Sequence, residues 1–362
     1  MKKSIFLIII LFSNIFAFAQ TPPEKPLSQT EYVKLLYDLQ KNPKIKDTVI
    51  ALVRRRGIDF PLTDGLRGLT RTKSGSDVEL SRTLEESARR RDNPTAYQPP
   101  SAKESIEVLA KSREATLTAV EEMPDFVVKQ MIQRSASYAG TNNFQNLDRL
   151  IVAVSYRSPD VSGANGAEEY RVLSVNGLPK TTPEKKGSYE EVGGTSSTGE
   201  FVTVLATIFK SENETKFEPV DTDVLRGRKT IVYSFETTKE KAHQVIAVLD
   251  THDSTIAGMQ GKVWIDRENF RVLRVESSAT EIPDDFPVRA ASRIIDYDWV
   301  TIASEKYLLP LQSDVRLTSK YGKEKYETRN LIRFKEYQKY GSEVKILEDD
   351  NKEPIPEIKP NQ

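Results

Sequence analysis

The spacing of apolar residues changes once along this chain. Up to about residue 120 they recur three and four apart: Tyr32, Leu35, Leu36 and Leu39, then Val49, Leu52 and Val53, then Ile106, Leu109, Leu117 and Val120. Each set shares one helical face. Arg54-Arg55-Arg56-Gly57 is a helix end, with cations and a glycine where the dipole and the C-cap favour them. Ser76 to Arg91 reads as a further helix of mixed charge. Ser101-Ala-Lys-Glu104 is a capping box opening the helix that ends near Met123-Pro124. After Pro124 the period becomes two. Strands are predicted at about 126–138, 147–157, 169–176, 216–221, 229–237, 243–250, 259–266, 270–279, 289–302, 306–319, 326–340 and 344–347. One stretch interrupts them. Ser197-Thr-Gly-Glu200 is a second capping-box match, and Phe201, Leu205, Ile208 and Phe209 predict a helix over Glu200–Lys210.

Most strand connections are short, and helices between successive strands are missing. The expected class is therefore α+β, with a mainly antiparallel sheet and a small N-terminal helical domain. Pro-rich stretches divide the chain into a linker at 20–30, a helical region at 31–91, a linker at 92–100, and a helix-plus-sheet domain at 101–347. The acidic, Pro-containing tail at 348–362 has a composition that favours disorder.

The strand pair Gly261–Glu276, "GKVWIDRENFRVLRVE", shows the alternation plainly. Val263 and Ile265 face one way; Lys262, Trp264 and Asp266 face the other. Leu273 and Val275 oppose Arg274 and Glu276 in the return strand. The pattern predicts one buried face and one wet face, with arginine stems lying on apolar surface and their heads in water. Trp264 is the exception. As the largest ring it is expected on the concave side, near Trp299 or the 200–210 helix.

This hairpin, the segment Ile282–Val288 and the run Ile295–Val315, "IDYDWVTIASEKYLLPLQSDV", together resemble the LolA/LolB-type lipoprotein-carrier superfamily over about residues 123–347. The resemblance implies that the sheet is curved into an open antiparallel half-barrel. Short helices would lie across its concave side as a lid over an apolar cavity for acyl chains, and the 200–210 helix would be a lid element. Here the helical region 31–91 stands in front of that pattern, and the strands carry more charge.

Composition narrows the chemistry. The chain has 362 residues and no cysteine, which removes disulfides, thiol catalysis, thiolate metal sites and a lipid-anchored cysteine. Lys2 and Lys3, the apolar run Ile5–Phe16 and Ala17-Phe18-Ala19 predict a signal peptide over 1–19. The expected mature chain starts at Gln20, is periplasmic or secreted, and has no transmembrane span. It would carry 51 basic and 53 acidic side chains, a net charge of −2, so no overall field draws nucleic acid. The basic surplus at 50–91 reads as solvated helix faces.

Catalytic signatures are missing: no G-x-S-x-G, H-E-x-x-H or P-loop occurs. Asp250, His252 and Asp253 lie together at an expected turn, and His243 precedes a strand. Neither arrangement converges as a metal or acid–base site needs. Asp284-Asp285 reads as a solvated turn, and Asn213-Glu-Thr215 as a sequon without consequence after a bacterial-looking leader. No cofactor or metal is expected. The candidate cavity-lining residues are Trp264, Trp299, Tyr233 and Phe235, which could equally pack the sheet against helices. The leading expectation is a non-enzymatic binding protein for a lipid or other apolar ligand. The alternatives are a self-filled interaction module of the envelope, whose helical region meets a partner protein, and a divergent hydrolase marked by clustered, buried carboxylates.

Overall fold

The computed structural model describes residues 24–94, 100–141, 143–158, 167–180, 189–242, 244–248 and 252–340. The leader, residues 20–23 of the expected linker, His243, Asp250, the strand expected at 344–347 and the acidic tail lie outside the described residues. Helices α1 (Gln29–Lys41), α2 (Lys46–Arg56), α3 (Asp64–Lys73) and α4 (Val78–Asp92) come first, and α5 (Ala102–Glu121) follows. The strands are β1 (Phe126–Tyr138), β2 (Gln145–Arg157), β3 (Ala167–Val175) and β4 (Leu178–Pro179). Short helices α6 (Tyr189–Val192) and α7 (Thr203–Phe209) precede β5 (Lys216–Leu225) and β6 (Arg228–Thr237). One turn of helix, α8 (Lys239–Ala242), leads into β7 (Gln244–Val248) and β8 (Asp253–Asp266). The chain closes with β9 (Val272–Thr280), β10 (Val288–Ile302), β11 (Glu305–Tyr321) and β12 (Glu324–Lys339).

Local chemistry explains most boundaries. The Ser28 hydroxyl accepts the Glu31 N–H while the Glu31 carboxylate accepts the Ser28 N–H, a complete capping box on α1. Ser101 caps α5 with its hydroxyl, which accepts the Glu104 N–H. Asn176 and Gly177 both have positive φ, 50° and 78°, as the tight β3–β4 hairpin requires. The expected cap at Ser197 is different. Its hydroxyl donates to the Glu200 carboxylate, but α7 starts only at Thr203 and has no side-chain cap. That motif shapes the loop before the helix.

All the strands join one open antiparallel sheet in the order β4-β3-β2-β1-β12-β11-β10-β9-β8-β6-β5, with β7 beside β8. The last strand pairs with the first over Phe126↔Lys339 to Tyr138↔Tyr326, so β1–β4 extend to one side of the junction and β5–β11 to the other. The α+β half-barrel class is thus the observed one.

The sheet has two covered faces. On the inner face, Val108 of α5 and Leu205, Ile208 and Phe209 of α7 pack on Tyr233, Val263, Ile265, Val275, Ile295 and Tyr297. Further along the same face, Phe201 packs among Phe126, Ile132, Val152, Tyr156, Ile332 and Phe334. Helices α1–α4 have a separate core of Leu27, Tyr32, Leu36, Val53, Phe60, Leu80 and Leu84.

That bundle sits on the outer face of β5, β6, β8 and β9. Here the expected wet face is corrected: α4 buries it. Arg82, 2% exposed, lies 4.9 Å over the Trp264 ring and pairs with Glu86 at 3.2 Å and with Glu276. Glu79 bridges Lys262 at 2.7 Å and Arg54 at 3.2 Å. Arg89 meets Asp223 at 2.7 Å, and Arg90 meets Asp221. Arg274 grips Asp296 through two hydrogen bonds of 2.6 and 2.9 Å. The 50–91 cations read as solvated faces therefore include the docking side chains of the bundle.

The energetics of burial show in the ionisation of these groups. Burial favours a neutral Glu79, but Lys262, Arg82 and Arg54 outweigh it and hold its pKa down to about 2. Burial and the neighbouring Arg82 lower that of Lys262. Burial and Asp223 raise that of Glu86.

The three main cores do not share residues across the bundle–sheet boundary, so we propose that the Asp92–Pro100 stretch divides two folding units. Fragment 101–347 is expected to unfold cooperatively in urea, at a lower midpoint than the full chain because Trp264 and the docking carboxylates lose their cover. A fragment with no cooperative transition contradicts the division.

Candidate functional site

The inner face is crossed by a strap, residues 189–202, that joins α6 to α7. Side chains from widely separated strands fasten it. Arg134 of β1 is held by Asp148 at 2.6 and 2.5 Å and donates to the Gly193 carbonyl at 2.5 Å. Gly194 beside it has φ +78°, and a Cβ there would stand 2.7 Å from the Arg134 guanidinium, so the crossing needs glycine. Asn330 of β12 donates to the Thr195 carbonyl at 2.8 Å, and the Thr195 and Thr328 hydroxyls are 2.8 Å apart. On β3, the Glu168 carboxylate accepts the Gly199 N–H at 3.0 Å and the Tyr170 O–H. The Tyr297 hydroxyl donates to the Glu200 carbonyl at 3.2 Å.

A cleft of about 680 Å³ opens between this strap and the sheet. Its walls are strap residues 193–198, strand β7, and the inner-face side chains Val288, Ala291 and Arg293 of β10, Val315 and Leu317 of β11, and Thr328 and Asn330 of β12. Ile246, Val248, Val288, Ala291 and Leu317 form its apolar wall, backed by Ala257 and Phe286. Leu147, Val245, Tyr321 and Tyr326 border it and, apart from the half-buried Tyr326, are exposed. Beyond Arg293 a second pocket of about 480 Å³ lies between the strap, α7 and β7. Volumes of this size are typical of small-molecule sites.

The acidic cluster at the strap is asymmetric. Glu200 is fully buried, and its Oε2 has no hydrogen-bond partner among the described residues. Burial, together with the charge of Glu200, pushes the Glu168 pKa up against hydrogen bonds from Tyr170 and Gly199 and the positive charge of Arg293. Among the described residues, no group of three or more His, Cys, Asp or Glu side chains is arranged to hold a metal. Both carboxylates are engaged with the strap: Ser197 donates to Glu200, and Tyr170 and the Gly199 N–H donate to Glu168.

The four aromatic candidates are distributed by the register. Tyr233 and Phe235 face inward but are fully packed, and the Tyr233 hydroxyl donates to the Ser105 carbonyl at 2.8 Å to seat α5. Trp299 is 43% exposed near the end of β10, opposite Leu308. The expected concave placement of Trp264 is corrected. It pairs with Val232 and Arg274 on the outer face, packs with Leu225, Val232 and Leu273, and donates to Asp223 at 3.0 Å. Size predicted its burial but not its side, because the bundle makes the outer face an interior as well. His252 borders the cleft at the β7–β8 turn with φ 57°.

Arg134, Arg293 and Asn330 carry the cleft's polar chemistry and were missed in the sequence. Their signal is phase. Arg293 alternates with Ala291, Ile295 and Tyr297, and Arg134 with Val128 and Ile132, so both cations sit on the buried side of their strands.

Comparison with solved structures finds similarity to a LolA superfamily protein from Nitrosomonas europaea, at 10% identity over 66% of this chain and 94% of that one, with a TM-score of 0.28. A DUF1329 family protein from Desulfovibrio piger aligns at 9% identity over 65% and 95%, with a TM-score of 0.29. The MucA/MucB complex structure of Pseudomonas aeruginosa aligns at 9% identity over 65% and 94%, with a TM-score of 0.16. The open antiparallel sheet is established by its own register. No family model matches the chain, and a search of curated proteins returns no match.

Glu168 gives a pH prediction. A carboxyl whose folded pKa is raised costs nothing below its unfolded value and reduces stability as pH rises through the folded one. Relative to Glu168→Gln, whose amide oxygen can still accept from Gly199 and Tyr170, the natural chain should lose stability as pH rises from about 4.5. Paired urea titrations between pH 4 and 8 check this. A constant difference across that range contradicts it.

Proposed function

We propose that the protein is an exported, non-enzymatic binding protein of the cell envelope that holds a lipid or other apolar-tailed ligand in the inner-face cleft. The carrying observation is the cleft itself. Phe201, Leu205, Ile208 and Phe209 fill much of the inner face, yet between the strap and β7 about 680 Å³ stays open against an apolar wall. An apolar wall rewards burial of a hydrocarbon chain by roughly 25 cal/mol per Å². The strap supports the reading because its stretch 193–199 is a loop pinned by separate hydrogen bonds, which can open locally while Phe201 keeps its end anchored in the core. Export is supported by Lys2 and Lys3, the apolar run and Ala17-Phe18-Ala19. No helix among the described residues is long and apolar enough to cross a membrane.

A second reading, an envelope interaction module with a self-filled core and a partner on the helical bundle, is supported by the dense packing under α5 and α7. The hydrolase reading has Glu168 and Glu200 in its favour, but both serve the strap. Ala291→Trp separates the first two readings, because it places a large ring in the cleft from a half-buried position. Binding of an apolar fluorescent dye should fall at least about tenfold, with the unfolding midpoint within the ±0.5 kcal/mol or so of an ordinary surface change. Unchanged dye binding favours the self-filled module.

A further inference from the structure

Several buried arginines of this protein are met by carboxylates. Arg134 is held by Asp148, Arg274 by Asp296, Arg329 by Asp314, and Arg82 by Glu86 and Glu276. Arg293 is different. It points from the middle of β10 to the inner face, where it borders both the cleft and the second pocket. Its hydrogen bond is a long one, 3.4 Å to the Thr198 carbonyl, and among the described residues no carboxylate comes within ion-pair distance. Glu168 lies across the second pocket, near enough to feel its charge but not to pair. A guanidinium in a half-enclosed site keeps its charge and offers a planar fork of donors suited to carboxylate and phosphate.

The surroundings give the missing partner a shape. Arg293 pairs with Val315, and Val315 with Asn330, so Arg293 and Asn330 stand two strand spacings apart on one face, roughly 10 Å. Asn330 is 2% exposed and, among the described residues, its Oδ1 has no hydrogen-bond partner; the Gln244 Oε1, bordering both hollows, has none there either. One step nearer the rim on the same face come Ala291 and Leu317, then Val288, with Ile246 against them. The site is therefore cationic at its inner end, apolar along one wall, and bordered by exposed Tyr321 at the rim.

We infer that the cleft takes an anionic amphiphile, with its carboxylate or phosphate headgroup on Arg293 and its tail along Ala291, Leu317 and Val288 toward the rim. This rests on the binding-protein reading above and adds the ligand's charge and orientation. The unsatisfied oxygens of Asn330 and Gln244 receive hydrogen-bond donors from water or from the headgroup. The interaction is non-covalent throughout.

The test uses the full mature chain and four probes: laurate, dodecyl phosphate, dodecanol and inorganic phosphate, titrated by calorimetry below the probes' micelle concentrations. Laurate or dodecyl phosphate should bind at least tenfold more tightly than dodecanol, and inorganic phosphate alone should not bind measurably. Whichever of the two binds more tightly identifies the headgroup. Arg293→Gln should reduce the anionic probes to the affinity of dodecanol and leave dodecanol unchanged; Arg293→Lys should retain a preference for the anion. Thermal unfolding of both variants confirms that they fold. Equal binding of alcohol and anion overturns this inference while leaving the binding-protein reading intact. Binding of inorganic phosphate as tightly as the amphiphiles also overturns it. Failure of every dodecyl probe overturns both.

Discussion

The packing of this protein turns on one buried guanidinium. Arg82 has almost no contact with solvent, lies over the Trp264 ring, and is paired by Glu86 from its own helix and Glu276 from the sheet. Burying such a group is unfavourable unless its charge is answered. The answer here needs α4, β8 and β9 in one relative position. Around it the same condition is met repeatedly: Lys262 by Glu79, Asp223 by Arg89 and the indole N–H, Asp221 by Arg90. The sheet thus has two interiors. One is apolar, under α5 and α7. The other is charged, under the bundle, and its geometry is more exacting because an unmatched ion there costs more than an unmatched methyl.

This division of labour shapes the inner face. With one side of β8 and β9 committed to the bundle, Val263, Ile265 and Val275 are left to α5 and α7. The strap then passes over β12 and β10, fastened by Arg134, Asn330, Glu168 and Tyr297, and leaves the cleft between itself and β7. Closure by hydrogen bonds at 193–199 and by the packed Phe201 ring gives a compartment with a firm floor and a roof anchored at one end. Arg293 is placed in that compartment by the same alternation that buries Ile295 and Tyr297.

Much of the architecture was legible in period alone. The change after Pro124, the hairpins from β8 onward and the α1 and α5 boundaries all rest on local signals: alternation, capping residues, short turns. The pairing of β12 with β1 was not legible, because nothing local relates residues 126–138 to 324–339. The side of Trp264 was misread for a similar reason. Alternation gives two faces without saying which is interior, and it cannot show that both are. The ion pairs between Arg82 or Arg89 and the sheet span 194 and 134 residues; in the sequence they are only charges on a helix. The site residues were half legible. Arginine in the buried phase of a strand is a visible anomaly, but the strap that makes Arg293 part of a cleft is set by tertiary contacts.

The account depends most on Arg82 and Glu276 acting as one buried unit, and a double-mutant cycle measures that directly. Arg82→Met and Glu276→Gln, singly and together, should be compared by urea unfolding of the full chain. Each single change should cost about 3–5 kcal/mol, the range found when one partner of a buried pair is removed. The double mutant should cost clearly less than the sum, because neither charge is then left unanswered, with a coupling of at least about 1 kcal/mol. Additive losses, or single changes within about 0.5 kcal/mol of the natural chain, would show that the bundle does not rest on this pair.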